Sequence, residues 1–236
     1  MSFDLLATLK FWPEFLAGLW VTLAVSAAAA VLGLIAAGVL TVLSLAGGPV
    51  GRGITALWLV VMRGAPFIAL VYSIHFLMPA FGWRAPPIAS GLIALTAFVS
   101  AYYTEVIRAT IGGLPPGQWE SARAIGMSRV QAARVVIVPQ LWRPALPSLL
   151  GNTITMLKES SVLSVLTVAE LTYRGLIVQG QTFAPFEVFF ITAILYWLVT
   201  LSLLGLARFC ERRFLTPAGE SHRLSPIAAR YLSLRR

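Results

Sequence analysis

One cysteine, two histidines and nine acidic residues are all that 236 positions hold of the groups that most often ligate metals or move protons. The lone Cys210 excludes an internal disulfide framework and a multi-cysteine metal site. The chain has no His-Glu-x-x-His, no Gly-x-Ser-x-Gly and no pair of intramembrane aspartates, so an intramembrane hydrolase is without its reacting groups. It also lacks the Gly-x-x-x-x-Gly-Lys-Ser/Thr loop that cradles nucleotide phosphates. Charge is scarce: 11% of residues, where a soluble domain carries about a quarter. No internal repeat and no low-complexity tract is present.

What fills the space is hydrophobic, at 58% of residues and a mean hydropathy of +0.83. That composition excludes both an ordinary cytosolic enzyme and a disordered tail. A bilayer core of about 30 Å needs about 20 apolar residues per helix. The run from Phe15 to Gly51 carries no charge and exceeds one crossing, so it tilts, protrudes or ends near Gly47-Gly48-Pro49. Gly64–Trp83, Ala85–Thr104 and Val188–Ala207 are 20 residues each and bracketed by charge. A fifth apolar stretch, Pro144–Ala169, is interrupted only by Lys158 and Glu159. The pattern predicts an all-α membrane protein with about five transmembrane helices, near 15–45, 64–82, 86–107, 146–168 and 186–209. Residues 1–14 read as an amphipathic lead-in, not a signal peptide, because Asp4 and Glu14 flank Lys10 where a basic n-region is required. Residues 215–236 read as a basic tail, solvated or touching headgroups.

Lysine and arginine outnumber the acids 18 to 9. With the N-terminus outside, the inner segments hold Arg52, Arg63, Arg108, Arg123, Arg129, Arg134, Arg143 and the seven arginines after the last span, Arg208, Arg212, Arg213, Arg223, Arg230, Arg235 and Arg236. The outer segments hold only Lys10, Arg84 and Arg174. That bias predicts N-terminus outside, C-terminus cytoplasmic and an odd number of crossings. It also makes loop asymmetry, not nucleic-acid binding, the first reading of the positive charge.

The longest inner segment, Arg108–Arg143, is too structured in pattern to be a plain linker. After Leu114-Pro115-Pro116-Gly117, the stretch Gln118-Trp119-Glu120-Ser121-Ala122-Arg123-Ala124-Ile125 favours a short helix. Gly126 stands where a helix end needs positive φ. Ser128-Arg129-Val130-Gln131 is a capping box starting a second helix through Val138. Pro139, Pro144 and Pro147 then redirect the chain into the membrane. Two readings stand level on the residues alone. The hairpin is a rigid knob for a partner, with Trp119 and Ile125 as apolar anchors and Glu120 and Arg123 setting register. Or it lies on anionic lipid.

These residues resemble a known family. Glu120-Ser121-Ala122, Gly126 and the later Ile137-Val138-Pro139 are similar to the EAA loop of ABC-importer permeases, with Ser121 for an alanine and Val138 for a leucine. Arg63-Gly64-Ala65-Pro66, Ala101-Tyr102-Tyr103-Thr104-Glu105-Val106-Ile107-Arg108 and Leu157-Lys158-Glu159-Ser160-Ser161-Val162 resemble motifs of the polar amino-acid branch, with Ala65 for a threonine. The likeness runs from about Gly18 to Phe214. It implies a type I ABC importer transmembrane fold spanning 15–214, with a cytoplasmic coupling loop at 114–140. It implies a multi-pass permease in the bacterial cytoplasmic membrane that moves amino acids inward by alternating access. The implied partners are cytoplasmic ABC ATPase subunits, a second permease subunit (identical or homologous), an extracytoplasmic amino-acid-binding protein and membrane lipid. The chain is then not an enzyme and binds no cofactor or metal itself, ATP and Mg belonging to the ATPase. The ATPase-coupling set implied is Gln118, Trp119, Glu120, Ser121, Ala122, Arg123, Ile125, Gly126, Met127 and Ser128. A stand-alone channel or secondary carrier for small polar solutes is the alternative; the odd helix count and the partner-seeking loop weigh against it.

Ionisable groups at bilayer depth pair or line a path. Glu105 and Arg108, three apart, are positioned for a local ion pair, and with Lys158 are expected to be structural or gating charges. The expected substrate path takes in Arg63, Gly64, Pro66, Tyr72, Ser100, Tyr103, Asn152, Thr155 and Glu159. Pro66 suits a helix start, and Arg63 beside that start could hold a carboxylate. It could equally anchor its span at the inner headgroups. Asn152 and Thr155 share a face and could serve interhelical hydrogen bonding instead. His75 is expected to be a packed or hydrogen-bonded helix residue. Ala29, Gly33 and Ala37 form a small-residue packing stripe.

Overall fold

The computed structural model describes Thr8, residues 10–115 and residues 117–214. Most of the expected lead-in and all of the expected tail lie outside the described residues. Among those described, the regular structure is wholly helical.

Helix α1, Trp12–Ala46, has 35 residues and so runs about 52 Å at 1.5 Å per residue. One face carries Thr22, Val25, Ser26, Ala29, Gly33, Ala37 and Thr41, all buried. The opposite face, with Trp20, Val31, Ile35 and Val39, is exposed. Small residues on the buried face let α4, Pro87–Gly112, approach closely. A Cβ at Gly33 would overlap Val99 Cγ1 and sit 3.6 Å from the Ser100 nitrogen. The stripe Ala29–Gly33–Ala37 is therefore packing surface, as the spacing indicates.

Helix α4 is the central element. Its most apolar 18 residues are 61% buried, against 28% for α1 and 22% for the last helix, Pro185–Phe214. Val25 and Ala29 of α1, Val71, Leu95, Val99, Leu149, Met156 and Leu163 meet in one core around it.

The second expected span begins differently from its sequence reading. A helix α2, Gly48–Gly64, precedes it, where the apolar run had suggested only a turn. Gly48, at φ +61, reverses the chain, and Thr55 Oγ1 donates to Leu40 O at 3.2 Å. Helix α3, Phe67–Leu77, follows at 114° to α2 and ends in a 3-10 turn, Met78–Phe81. The break is chemical. Pro66 has no N–H to continue α2, and it drives Ala65 into extended backbone at φ −95, ψ 145. Pro66 becomes the N-cap of α3.

Helix α5, Gly117–Ala124, is followed by α6, Arg129–Ala132, a π turn at Ala133–Ile137, and α7, Val138–Glu159. A 3-10 segment, Ser160–Leu166, completes this run. The expected redirection at Pro139, Pro144 and Pro147 does not occur: Pro144 and Pro147 lie inside α7. The π turn loosens the backbone just ahead of the prolines, and Gln140 Nε2 donates to Val136 O at 2.8 Å, so a side chain joins the local bonding there. The helix that carries the fourth expected span thus starts before residue 146, at Val138.

Helix α8, Leu171–Thr182, and helix α9, Pro185–Phe214, close the fold. Glu170 caps α8, accepting from Thr172 N (2.9 Å) and Tyr173 N (2.7 Å). Tyr196 OH donates to the same carboxylate at 2.8 Å. Thr22 Oγ1 accepts from Leu171 N, and Arg174 pairs with Glu14 at 2.6 Å. These bonds fix α8 between the start of α1 and α9 over a small core of Phe15, Leu171, Val178 and Val188.

Candidate functional site

Two constellations matter, one on the short helix α5 and one where α2 meets α4. The α5 knob is built by local backbone chemistry. Gly126 stands at φ +82, a conformation that costs other residues about 1–2 kcal/mol. Met127 N donates to Ala122 O (3.1 Å) and Gly126 N to Arg123 O (3.0 Å). That pair of bonds is a Schellman closure, which satisfies the last carbonyls of α5. Two residues on, the capping box is complete: Gln131 N donates to Ser128 Oγ (3.3 Å) and Ser128 N to Gln131 Oε1 (2.9 Å). A helix stop and a helix start, two residues apart, leave the turn little freedom.

The knob is fastened to the bundle from below. Ala122 is 3% exposed, and Gln140 Nε2 donates to Gln118 Oε1 at 3.0 Å. Trp119 is half-buried and turns toward the molecule itself, lining an apolar cavity with Ile111, Ile137 and Trp142. That corrects its reading as an outward anchor: the largest apolar side chain of α5 is taken up by its own bundle. What faces out is Glu120, Ser121, Arg123, Ala124 and Ile125, the last 73% exposed; Met127 is half-buried and Ser128 exposed. The outward face is small side chains, one acid, one base and one isoleucine.

The second constellation is polar. Arg63, at the end of α2, pairs with Glu105 of α4, and its guanidinium lies 5.4 Å from the centre of the Tyr102 ring. The expected Glu105–Arg108 pair is thus replaced. Three residues of helix put the two side chains on one face, but the end of α2 brings a competing arginine nearer. Arg108 remains exposed without an ion pair among the described residues. Arg63, Gly64, Tyr102, Glu105 and Arg108, with Ala56, Leu59 and Val60, line an open cavity of about 530 Å³. Two cations, one anion and a phenol ring leave it with one positive charge in excess.

Of the expected path residues, only Arg63 and Gly64 line that cavity. Pro66 shapes the break beside it. Ser100 is fully buried, accepting from Trp58 Nε1 (3.1 Å) and donating to Ala97 O (2.7 Å). Tyr103, 3% exposed, is hydrogen-bonded to Thr153 Oγ1 at 2.6 Å. Both are interhelical fasteners in this conformation. Tyr72 is exposed and stacks on Phe76. On α7, Asn152 and Glu159 are half-buried, and Thr155 and Lys158 are exposed. Neither Lys158 nor Glu159 makes an ion pair among the described residues. His75 is hydrogen-bonded to Ser90 Oγ at 2.9 Å, as expected of a packed helix residue. The sequence reading missed Tyr102 as the ring under Arg63, and the hydrogen bond from half-buried Tyr196 to buried Glu170. A glutamate directly before a helical stretch was the available signal for Glu170.

Residues 29–216 match the family described as "Binding-protein-dependent transport system inner membrane component". The chain is 30% identical to the L-cystine transport system permease protein TcyB of Bacillus subtilis, over 86% of this chain and 88% of that one. It is 31% identical to the glutamine transport system permease protein GlnP of Escherichia coli K12, over 90% and 98%. Among solved structures, a chain described under "Crystal structure of an amino acid ABC transporter with histidines" superposes with a TM-score of 0.83 at 34% identity, covering 90% of this chain and all of that one. A chain of the inward-facing MetNI methionine ABC transporter superposes at 0.67, with 20% identity over 84% and 97%, a likeness of fold alone.

Proposed function

The chain belongs to the binding-protein-dependent transport system inner membrane components, and from that premise we propose that it carries amino acids inward through the membrane, driven by ATPase subunits that grip α5. As a permease of this family it is a membrane subunit whose ATP hydrolysis takes place in a separate partner. The amino-acid substrate is supported by the relatives' names and by the cavity's chemistry. Among the described residues, three helices are long and apolar enough to cross, and two bent pairs bring the number to as many as five. With the excess of arginine on one side, we read five crossings, N-terminus outside and C-terminus cytoplasmic. A second permease subunit and an extracytoplasmic binding protein complete the assembly in this reading.

The observation that carries the coupling role is the unbroken helical track from Arg129 to Leu166. At 1.5 Å per residue it spans about 55 Å, more than the bilayer core. Its lower end is tied to the knob through Gln118 and Gln140. Its upper half carries Asn152, Thr155, Lys158 and Glu159. Displacing α5 therefore moves the wall of the pathway as a lever, with no hinge at the prolines to absorb the motion. Trp119, half-buried against the bundle, transmits the load, while Glu120, Ser121, Arg123 and Ile125 meet the ATPase.

In the polar cavity, Glu105 suits an α-ammonium group and the arginines an α-carboxylate. Arg63 and Glu105 neutralise each other while the site is empty. A zwitterion that inserts between them exchanges one ion pair for two, so the pair acts as a latch that substrate opens.

The test is reconstitution with the ATPase and the binding protein. Glu120→Lys reverses a charge on the exposed face of α5, and Gly126→Trp puts a strained residue into the turn without a clash at its Cβ. Both are expected to leave the spans folded and to abolish uptake while ATP hydrolysis persists uncoupled or the ATPase no longer copurifies. Normal uptake in both variants would overturn the coupling assignment.

A further inference from the structure

We propose that an anionic phospholipid seats one acyl chain in the furrow between α1 and α7, with its headgroup at Arg134. Two apolar cavities adjoin there. One, of about 350 Å³, is lined by Gly38, Thr41, Val42, Ile111, Trp119 and Leu141, among others. The other, of about 240 Å³, continues it past Leu34, Trp142 and Leu149 to Ala30, Tyr103 and Thr153. The lining on α1 runs from Ala30 to Leu45, about 22 Å along the helix, comparable to one leaflet of a core about 30 Å thick.

The size selects the occupant. A partner helix 10–12 Å across would fill about 2,000 Å³ over that length, several times what either cavity holds. A single flexible hydrocarbon chain fits. The position agrees: on α4, the furrow-lining Tyr103, Ile107 and Ile111 stand on the opposite side from Tyr102, Glu105 and Arg108, at 100° per residue. The furrow thus faces away from the polar cavity. One further observation points to a lipid with an acidic end. Arg134, exposed, lies in the π turn between the lining residues Ala133 and Ile137, and exposed Arg143 follows Trp142.

The furrow ends on Trp119 and the π turn, the two parts that join α5 to α7. An acyl chain there packs behind the tryptophan and stiffens that joint. Lipid composition then becomes a regulator of coupling.

The experiment uses the complete transporter in vesicles doped with phosphatidylglycerol carrying a diazirine on its acyl chain. Adducts are mapped after irradiation. Labelling is expected at Leu34, Trp142 and Leu149, at least about 5-fold above that at Trp197 and Leu198, which are exposed on α9. Gly38→Phe, at a position whose Cβ meets nothing within 4 Å, fills the furrow and is expected to remove that excess while the complex still copurifies intact. Phosphatidylcholine with the same diazirine is expected to label about 5-fold less, and Arg134→Gln to erase the difference. Furrow labelling no greater than on α9, labelling indifferent to Gly38→Phe, or disulfide crosslinking of two Gly38→Cys copies across the furrow would overturn the proposal. Equal labelling by both headgroups would overturn the part assigned to Arg134.

Discussion

Neutralising Arg63 as Arg63→Gln separates the latch from the headgroup anchor. Arg63 and Glu105 have side chains 41% and 51% exposed, so water in the cavity screens them. Pairs with that much exposure contribute about 0.2–1 kcal/mol. The Tyr102 ring beneath the guanidinium adds about 0.5–1 kcal/mol. Losing both weakens the closed arrangement by about 1–2 kcal/mol, which shifts a two-state equilibrium by roughly 5- to 30-fold. Global stability hardly changes, because neither group is buried. The assay is ATP hydrolysis in proteoliposomes without substrate, alongside uptake and membrane content. The expected outcome is normal insertion, raised basal hydrolysis and weaker coupling to uptake. Glu105→Gln should do the same, and the exchange Arg63→Glu with Glu105→Arg should restore part of the basal restraint, since it rebuilds the pair in reverse. Poor insertion with unchanged basal hydrolysis and unchanged substrate affinity would refute the latch and leave Arg63 as an anchor.

Two further perturbations test the frame that holds these parts. Gly33→Ala should destabilise the transporter by about 1–3 kcal/mol, because its methyl overlaps the fully buried Val99. In a Val99→Ala background the same change should be neutral or stabilising, since helix propensity favours alanine by about 1 kcal/mol; detergent titration of unfolding reads the cycle. Glu170→Ala should cost about 1–3 kcal/mol by uncapping Thr172 N and Tyr173 N and orphaning the Tyr196 hydroxyl, whereas Tyr196→Phe should cost less, near 1 kcal/mol; melting temperatures rank the two, and the reverse order would remove Glu170 from its role as the cap.

What the sequence made legible were features set by neighbours in the chain. The turn at Gly126 and the capping box at Ser128–Gln131 are written in consecutive residues, and both form as read. The small-residue stripe on α1 was legible because a 3.6-residue period needs no knowledge of the partner helix. Side-chain pairing across helices was not. Glu105 looked toward Arg108 because only local spacing was in view, yet Arg63, 42 positions earlier, is where the bend at Pro66 brings it. Trp119 looked outward because its neighbours are polar, and the cavity that receives it is made by α1, α4 and α7. Helix α2 was hidden by Gly47-Gly48-Pro49, which reads as a loop, although Pro49 is compatible with a first helical turn. The polar cavity was half legible: Arg63, Gly64, Glu105 and Arg108 were singled out separately, but their convergence depends on a 114° bend that no local pattern encodes.

The same prolines illustrate why local rules gave opposite results at two places. Pro66 ends a helix; Pro144 and Pro147 do not. At Pro66 the preceding Ala65 is free to take extended backbone, and Gly64 before it imposes no side-chain packing that would hold the helical path. In α7 the surrounding residues are committed: Leu141, Ala145 and Leu149 are all buried, so breaking the helix there would expose them. Packing keeps the helical path while the backbone relaxes upstream, as a π turn at Ala133–Ile137, where Gln140 reaches back to Val136. A transporter needs both outcomes. The broken element places Arg63 just ahead of the start of α3, where it lines the open polar cavity. In the proposed coupling, the unbroken one is what carries displacement from α5 to the wall of the pathway. It follows that one alanine inserted into the regular part of α7, between Arg143 and Pro144, should rotate every residue beyond it by about 100° relative to α5. Lys158 and Glu159 would then face new surroundings, and uptake should fail even with α5 still gripped by the ATPase.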